Sequence, residues 1–462
     1  MTGRILARNE WLWPAIAALV ACATAGALSL VAYQFGPVLA ALLLVAAASL
    51  VVILVNPMMG VYAGVMCAPL EYLDVQVDGG LIQLTAGEAV LLVTAASVIL
   101  RSFGGGLNVL KMSLAHGAFA VLILITTLGL AVAPDTLVVF KIALMWSVAL
   151  VLSVYMLSAS SDQLRWLLMA IAVSGAVLAL IAITQGGPIE LREGGAAATN
   201  RAQASFAHPA VLGFFLQLAL PCALCLSLAG GRVQRGPMLI AAGLIFAALM
   251  LTLTRGAIIG AGVSIAMLFW LPRFRLLAVV LLIALVGFSA ANLNPILHSP
   301  QASVVATRLG TILGHELQTN PRVRIYKGAP AMVIEHPLVG IGAGNFSAVS
   351  PLYGLRDNGG DTFEHAHNVP LTIAVETGLL GLAAFLVMVA ALGRAAVRIL
   401  RSRVGPEFPL AMAPVAALTG LVATSMTDYP LRTNLILSLI MIQAGALIAY
   451  SRRARGSRIV AE

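Results

Sequence analysis

Residues 320–385 read NPRVRIYKGAPAMVIEHPLVGIGAGNFSAVSPLYGLRDNGGDTFEHAHNVPLTIAVETGLLGLAAF. A polar stretch carrying Arg322, Arg324, Lys327, His336, His365 and His367 runs straight into an apolar, helix-forming run that begins near Val369. The rest of the chain is largely apolar. Its 462 residues are 60% hydrophobic and 10% charged, with a mean hydropathy of +1.00. A soluble domain has about a quarter charged residues. The composition therefore excludes a large soluble domain and predicts an all-α, polytopic integral membrane protein. The net charge of +9 does not point to nucleic acid, because the basic residues sit in short loops between apolar runs.

Spanning helices need about 20 apolar residues. Working outward from the opening stretch, such runs fall near 369–393, 409–427 and 431–450 on its C-terminal side. On its N-terminal side they fall near 275–292, 256–271, 237–253, 209–230, 164–184, 137–158, 115–133, 83–100, 57–72, 38–55 and 11–33. The pair 38–55 and 57–72 is short and split at Asn56-Pro57, so the total is about 14, or about 12 if that pair does not span. The first run follows Arg4 and Arg8 and is long enough for a retained helix rather than a signal peptide. Cys22, Cys67, Cys222 and Cys225 all lie in apolar runs. The CxxC spacing of the last two has no partner pair, so it reads as core packing rather than zinc or redox chemistry. Four segments follow: N-terminal transmembrane helices over 1–190, transmembrane helices with outer-face arginine motifs over 191–292, a large outer loop over 293–368, and C-terminal transmembrane helices over 369–462.

Charge sets the orientation. With the N-terminus inside, inner loops collect Arg101, Lys111, Arg165, Arg232, Arg235, Arg273, Arg275, Arg394, Arg398, Arg401, Arg403 and the C-terminal cluster Arg452, Arg453, Arg455 and Arg458. That is the positive-inside pattern. Glu71, Asp74, Asp78, Asp135 and Asp428 fall on the other side. Two outer segments are long. The one at about 185–208 is Gly/Ala-rich and reads as irregular loop. The one at about 293–368 has a helix-compatible stretch near 321–335, which Pro337, Gly340, Gly342, Gly344 and Pro351 then break into turns.

The remaining basic residues run against the rule. Arg192, Arg201, Arg255, Arg308, Arg322, Arg324, Lys327, Arg356 and Arg432 belong to outer loops or outer helix ends, and Lys141 lies near the outer end of its helix. In LTLTRGAIIG almost no loop separates two helices, so Arg255 sits at the outer membrane–water boundary. A charge there meets a lipid headgroup by snorkelling, or an anion. Guanidinium matches phosphate oxygens bidentately. All histidines except His116 are also outer. His367, next to Asn368 and a helix start, has the chemistry of a general base near neutral pH, or is an ordinary polar loop residue. His365 and His367 with Glu364 have HxH spacing, but nothing nearby in the sequence completes a metal site, and none is read. Glu376 lies about 10 Å into its helix, placed to orient an Arg or His of the loop. Gly340, Gly342 and Gly344 lack the strand–turn–helix context of a phosphate loop and read as turns and close packing.

The opening stretch resembles the signature region of the bacterial O-antigen ligase and O-antigen polymerase superfamily, in PRVRIYKGAPAMVIEHPLVGIGAGNF followed by HAHNVPLTIAVETGLLGLAAF. NRAQASFAHPAVLGFFLQLALP and LTLTRGAIIGA resemble that family's preceding motifs. The resemblance covers roughly residues 195 to 390, and residues 1–190 match only in hydropathy. One departure stands out: the family usually has Trp four residues after the outer-loop Arg, where this chain has Tyr326 after Arg322. That spacing keeps both on one helix face. The resemblance implies a GT-C-type glycosyltransferase of the bacterial inner membrane, with both termini cytoplasmic and the active face periplasmic. It implies a donor glycan on undecaprenyl diphosphate, a glycan or lipid A–core acceptor, and no nucleotide sugar, metal or other cofactor. By motif match, Arg255, Arg322 and Arg201 bind the donor diphosphate and His367 activates the acceptor hydroxyl, supported by Tyr326, Arg324, Asn368 and Glu376. An ion-coupled transporter or flippase of lipid-linked glycans is the competing reading. It would need ionisable residues along a path open to both sides, whereas here the charge clusters on one. A non-catalytic scaffold has no use for the outer arginines.

Overall fold

The computed structural model describes residues 37–71, 74–77, 82–103, 112–185, 190–191, 198–199, 201–298, 321–356, 360, 362–402 and 407–459. The expected helix at 11–33 and residues 299–320 of the outer loop lie outside them. Residues 1–60 form one compact unit and residues 61–462 a second. In the first, α1 (Pro37–Val55) is apolar but for Ser49. The Asn56 side chain then accepts the Met58 N–H at 3.2 Å and starts α2 (Pro57–Met66), with proline in its first turn.

The second unit is helical, with α3 (Ala86–Phe103), α4 (Leu114–Leu128), α5 (Thr136–Tyr155), α6 (Ser161–Gln185), α7 (Pro209–Ala229), α8 (Arg232–Leu251), α9 (Arg255–Met267), α10 (Arg275–His298), α11 (Pro321–Glu335), the single turn α12 (Phe346–Val349), α13 (Val369–Ser402), α14 (Phe408–Ser425) and α15 (Asn434–Ile459). Among the described residues, nine helices are long and apolar enough to cross a membrane, with shorter apolar helices beside them. The protein is all-α and polytopic, as the composition requires. Two small hairpins decorate it: β1 (Asp74–Val77) pairs antiparallel with β2 (Ile82–Thr85), and β3 (Glu190–Leu191) with β4 (Ala198–Thr199). The second falls in the stretch expected to be irregular. Strands this short leave no trace in a window of about 20 residues.

The centre of the bundle is α7, buried from Val211 to Ser227. A helix apolar on every side belongs inside. It packs on α8 and α14, and α14 packs in turn on α9. Near one end of the bundle, the Thr424 hydroxyl of α14 lies 2.9 Å from Gln217 Oε1 of α7 and 3.0 Å from the Gly256 carbonyl of α9, sharing its proton between them. That hydroxyl fixes the three helices relative to one another.

The turn-rich loop that follows α11 has a defined partner. At Gly378, with φ 68° and ψ −174°, α13 is interrupted. The backbone groups freed there are taken up by the loop. Ile341 donates to the Val375 carbonyl at 3.0 Å, Gly342 to the Glu376 carbonyl at 3.0 Å, and Leu379 to the Pro337 carbonyl at 2.8 Å. Gly340 has φ 68°, and a side chain there would run into the Val375 and Glu376 backbone. The alternating glycines are thus packing and turn residues, as their sequence context indicated. The buried Glu376 carboxylate accepts the N–H groups of Gly344 and Phe346. It closes this loop instead of reaching an Arg or His. Above it, Ile325, Ala329 and Met332 of α11 pack with Phe346, Leu355, Phe363 and Val375 in a satellite core.

Candidate active site

The site forms where the turn after α14 meets the start of α13. Asn368 caps α13, its Oδ1 accepting the Leu371 N–H at 2.9 Å, while its Nδ2 donates to the Met426 carbonyl at 3.0 Å. The cap forces the preceding residue out of the helix: His367 has φ 50°. Its Nδ1 then lies 3.6 Å from Asp428 Oδ1, and His365 Nε2 lies 3.9 Å from the same oxygen. The two imidazole rings are 4.5 Å apart, and His365 also rests on the Tyr429 ring at 5.2 Å. His365 is buried, whereas the His367 side chain is 32% exposed, so His367 presents the accessible edge.

Burial alone would raise the Asp428 carboxyl. The His365 and His367 imidazoles and the Tyr429 amide, which donates to Oδ1 at 2.9 Å, outweigh it and hold the group well below the usual carboxylate range. Asp428 is therefore a fixed negative charge behind His367.

The arginines approach from α9. Arg255 is the exposed first residue of that helix. Gly256 brings the helix end against the Asp428 turn, where an added Cβ would lie 3.3 Å from the Asp428 Cβ. Arg201 is spent on the turn before α9. Its Nε donates to the Thr252 carbonyl at 2.7 Å and its NH2 to Thr254 Oγ1 at 3.0 Å. Burial depresses the Arg201 guanidinium below its ordinary value, Asp428 offsets part of that, and Arg255 adds to it. Because the Thr254 hydroxyl serves Arg201, it makes no side-chain cap for α9. The first turn of α9 at Arg255 has no side-chain cap, an arrangement suited to an anion.

On the third side, the Tyr326 hydroxyl of α11 donates to the His367 carbonyl at 3.4 Å. Arg322, exposed and one turn earlier, shares that helix face, while Arg324 is half-buried on another. Of the residues named from sequence, Arg201, Arg255, Tyr326, His367 and Asn368 converge. Arg322 stands on the converging face of α11, and Glu376 belongs to the loop clamp beneath. Sequence reasoning missed Asp428 as a site residue, although it marked it as outer. It also set His365 aside. Among the described residues, the non-glycine residues with positive φ are Ala204, Leu253 and His367. Each lies within three residues of Arg201, Arg255 or the Asp428–histidine cluster, and backbone strain collects at functional sites.

Beneath the cluster, an apolar cavity of about 260 Å³ runs along α13 from Val369 to Ala396. Leu418, Val422 and Ser425 of α14, with Leu437 and Met441 of α15, complete its wall.

Residues 240–386 match the family model described as O-Antigen ligase. No curated protein matches the chain in sequence. One chain from the structural work "Structural coordination of polymerization and crosslinking by a peptidoglycan synthase complex" overlays on 74% of this chain and 97% of its own, at 16% identity and a TM-score of 0.42. The matched family points to glycosyl transfer of the ligase or polymerase kind. The matched segment carries Arg255, Arg322, Tyr326 and His367, and the match supports a place in the O-antigen ligase and polymerase superfamily.

Proposed function

We propose that the protein transfers a glycan from undecaprenyl diphosphate to a sugar hydroxyl at the periplasmic face of the inner membrane, as an O-antigen ligase or an O-antigen or exopolysaccharide polymerase. The observation that carries this reading is the meeting of Arg255, the uncapped start of α9 and the His367–Asp428 pair at one end of the bundle. His367 takes the proton of the acceptor hydroxyl. The hydroxyl oxygen attacks the anomeric carbon as its bond to the diphosphate breaks. The leaving diphosphate carries away the electron pair, and Arg255, Arg322 and the α9 amides stabilise its charge without a metal. The Asp428 charge 3.6 Å from Nδ1 favours the tautomer with its proton there, leaving Nε2 free to act as base. Arg201 braces the turn that presents Arg255. The long apolar cavity beneath suits the isoprenoid chain of the donor.

Transfer by purified protein from a lipid-linked donor is expected to persist in excess chelator. Activity lost to chelation and restored by a divalent ion would end the metal-free mechanism. A protein that moves the donor between leaflets but forms no glycosidic product would be a flippase. The orientation has its own test. In a cysteine-free background, cysteines at Ser299 and Gly359 are expected to react with membrane-impermeant thiol reagents in spheroplasts, and one at Ser402 to stay unlabelled. Labelling at Ser402 alone would invert the topology.

A further inference from the structure

His365, His367 and Asp428 also make a donor set that the transfer reaction does not require. Their ligand atoms, two imidazole nitrogens and a carboxylate oxygen, all lie within 4.8 Å of one another. The His367 Nδ1 atom is buried and makes no hydrogen bond. It points at Asp428 from 3.6 Å, too far for a good hydrogen bond and close to the separation of two ligands on one ion. Zinc binds imidazole nitrogen and carboxylate oxygen at about 2.0–2.2 Å in tetrahedral geometry, which sets neighbouring donors about 3.3 Å apart. The observed 3.6 and 3.9 Å reach that value by small side-chain rotations. The two chain segments are already tied together by the bond from Asn368 to Met426, so little ordering is needed.

We propose that His365, His367 and Asp428 bind a first-row transition dication, Zn²⁺ best among the common ones, and that the bound ion switches transfer off. The second half rests on His367 being the base, and the first does not. A metal on Nδ1 displaces the proton there and forces the neutral ring to carry it on Nε2. The nitrogen that would accept the acceptor's proton then has none of its lone pair left. The ion also neutralises the Asp428 charge behind the ring.

The test uses the purified full chain with Co²⁺ as a spectroscopic probe. Co²⁺ is expected to give the visible ligand-field absorption of a tetrahedral N/O site, which one equivalent of Zn²⁺ erases. His365→Ala and Asp428→Asn should each abolish the absorption. In the unmodified protein, Zn²⁺ should shield His365 and His367, but not the exposed His336, from diethyl pyrocarbonate in peptide mass mapping. That measurement needs no variant to fold. Zn²⁺ should lower the transfer rate by about the 10²–10⁴-fold that a general base supplies, and chelator should restore it. Absence of both absorption and shielding overturns the site, as does absorption that survives both substitutions. Binding with undiminished or faster transfer overturns the switch. If the absorption and shielding are present but no transfer occurs under any condition, the site stands and the proposed function falls.

Discussion

His367→Ala is expected to lower turnover by about 10²–10⁴-fold while leaving donor binding little changed. Its imidazole acts on the acceptor hydroxyl, and the diphosphate is held by other groups. Single-turnover transfer and donor binding, measured separately in chelator, check this. If the substitution mainly weakens donor binding, His367 is a phosphate ligand and the base lies elsewhere. Glu376, the next acid along α13, is a poor substitute, because its carboxylate is occupied by the Gly344 and Phe346 amides. The Asp428 carboxyl is held below the usual carboxylate range, so it stays negative near neutral pH. Asp428→Asn removes that charge from behind the ring and should slow turnover as well. The depressed carboxyl also stabilises the fold. That contribution is present above the unfolded value and is lost only as pH falls through the folded one.

The second large effect is at the arginines. Arg255→Ala or Arg322→Ala should reduce transfer by at least about 10²-fold, the loss typical of removing one donor to a developing oxyanion. Membrane insertion should be unchanged, because both side chains are exposed. Arg255→Lys and Arg322→Lys should recover little, since an ammonium is a point charge and cannot span two phosphate oxygens. Wild-type rates in the lysine variants would mean that charge attraction to headgroups suffices. The two sites should differ in one respect. The α9 amides remain beside position 255, so some donor binding should survive there.

The helices were legible because each apolar run is long and membrane-spanning segments obey one strong constraint. The expected boundaries at 209–230, 137–158 and 321–335 agree with α7, with α5 and its last turn, and with α11 to within a residue. The arginines and His367 were singled out because charge is scarce in this chain. Asp428 was not, because an acid between two outer helix ends is ordinary in sequence. Only the Asn368–Met426 bond and the close approach of Gly256 bring it to the histidines and Arg255. His365 was passed over because HxH spacing says nothing about which ring faces inward. Glu376 was read as a partner for a charged side chain. Its partners are backbone amides, which a sequence does not display.

The interruption of α13 at Gly378 also decides where this protein can be cut and rejoined. The bonds from Ile341, Gly342 and Leu379 knit residues 337–342 to residues 375–379. The loop between α11 and α13 is therefore not an interchangeable module ending where the helix begins. A hybrid that takes its loop from one relative and its following helix from another, joined near Val369, would pair a foreign loop with a helix gap shaped for a different one. The natural seams lie before α11 and after Leu379. A graft made between them carries Arg322, Tyr326, His367 and the gap as one heritable block.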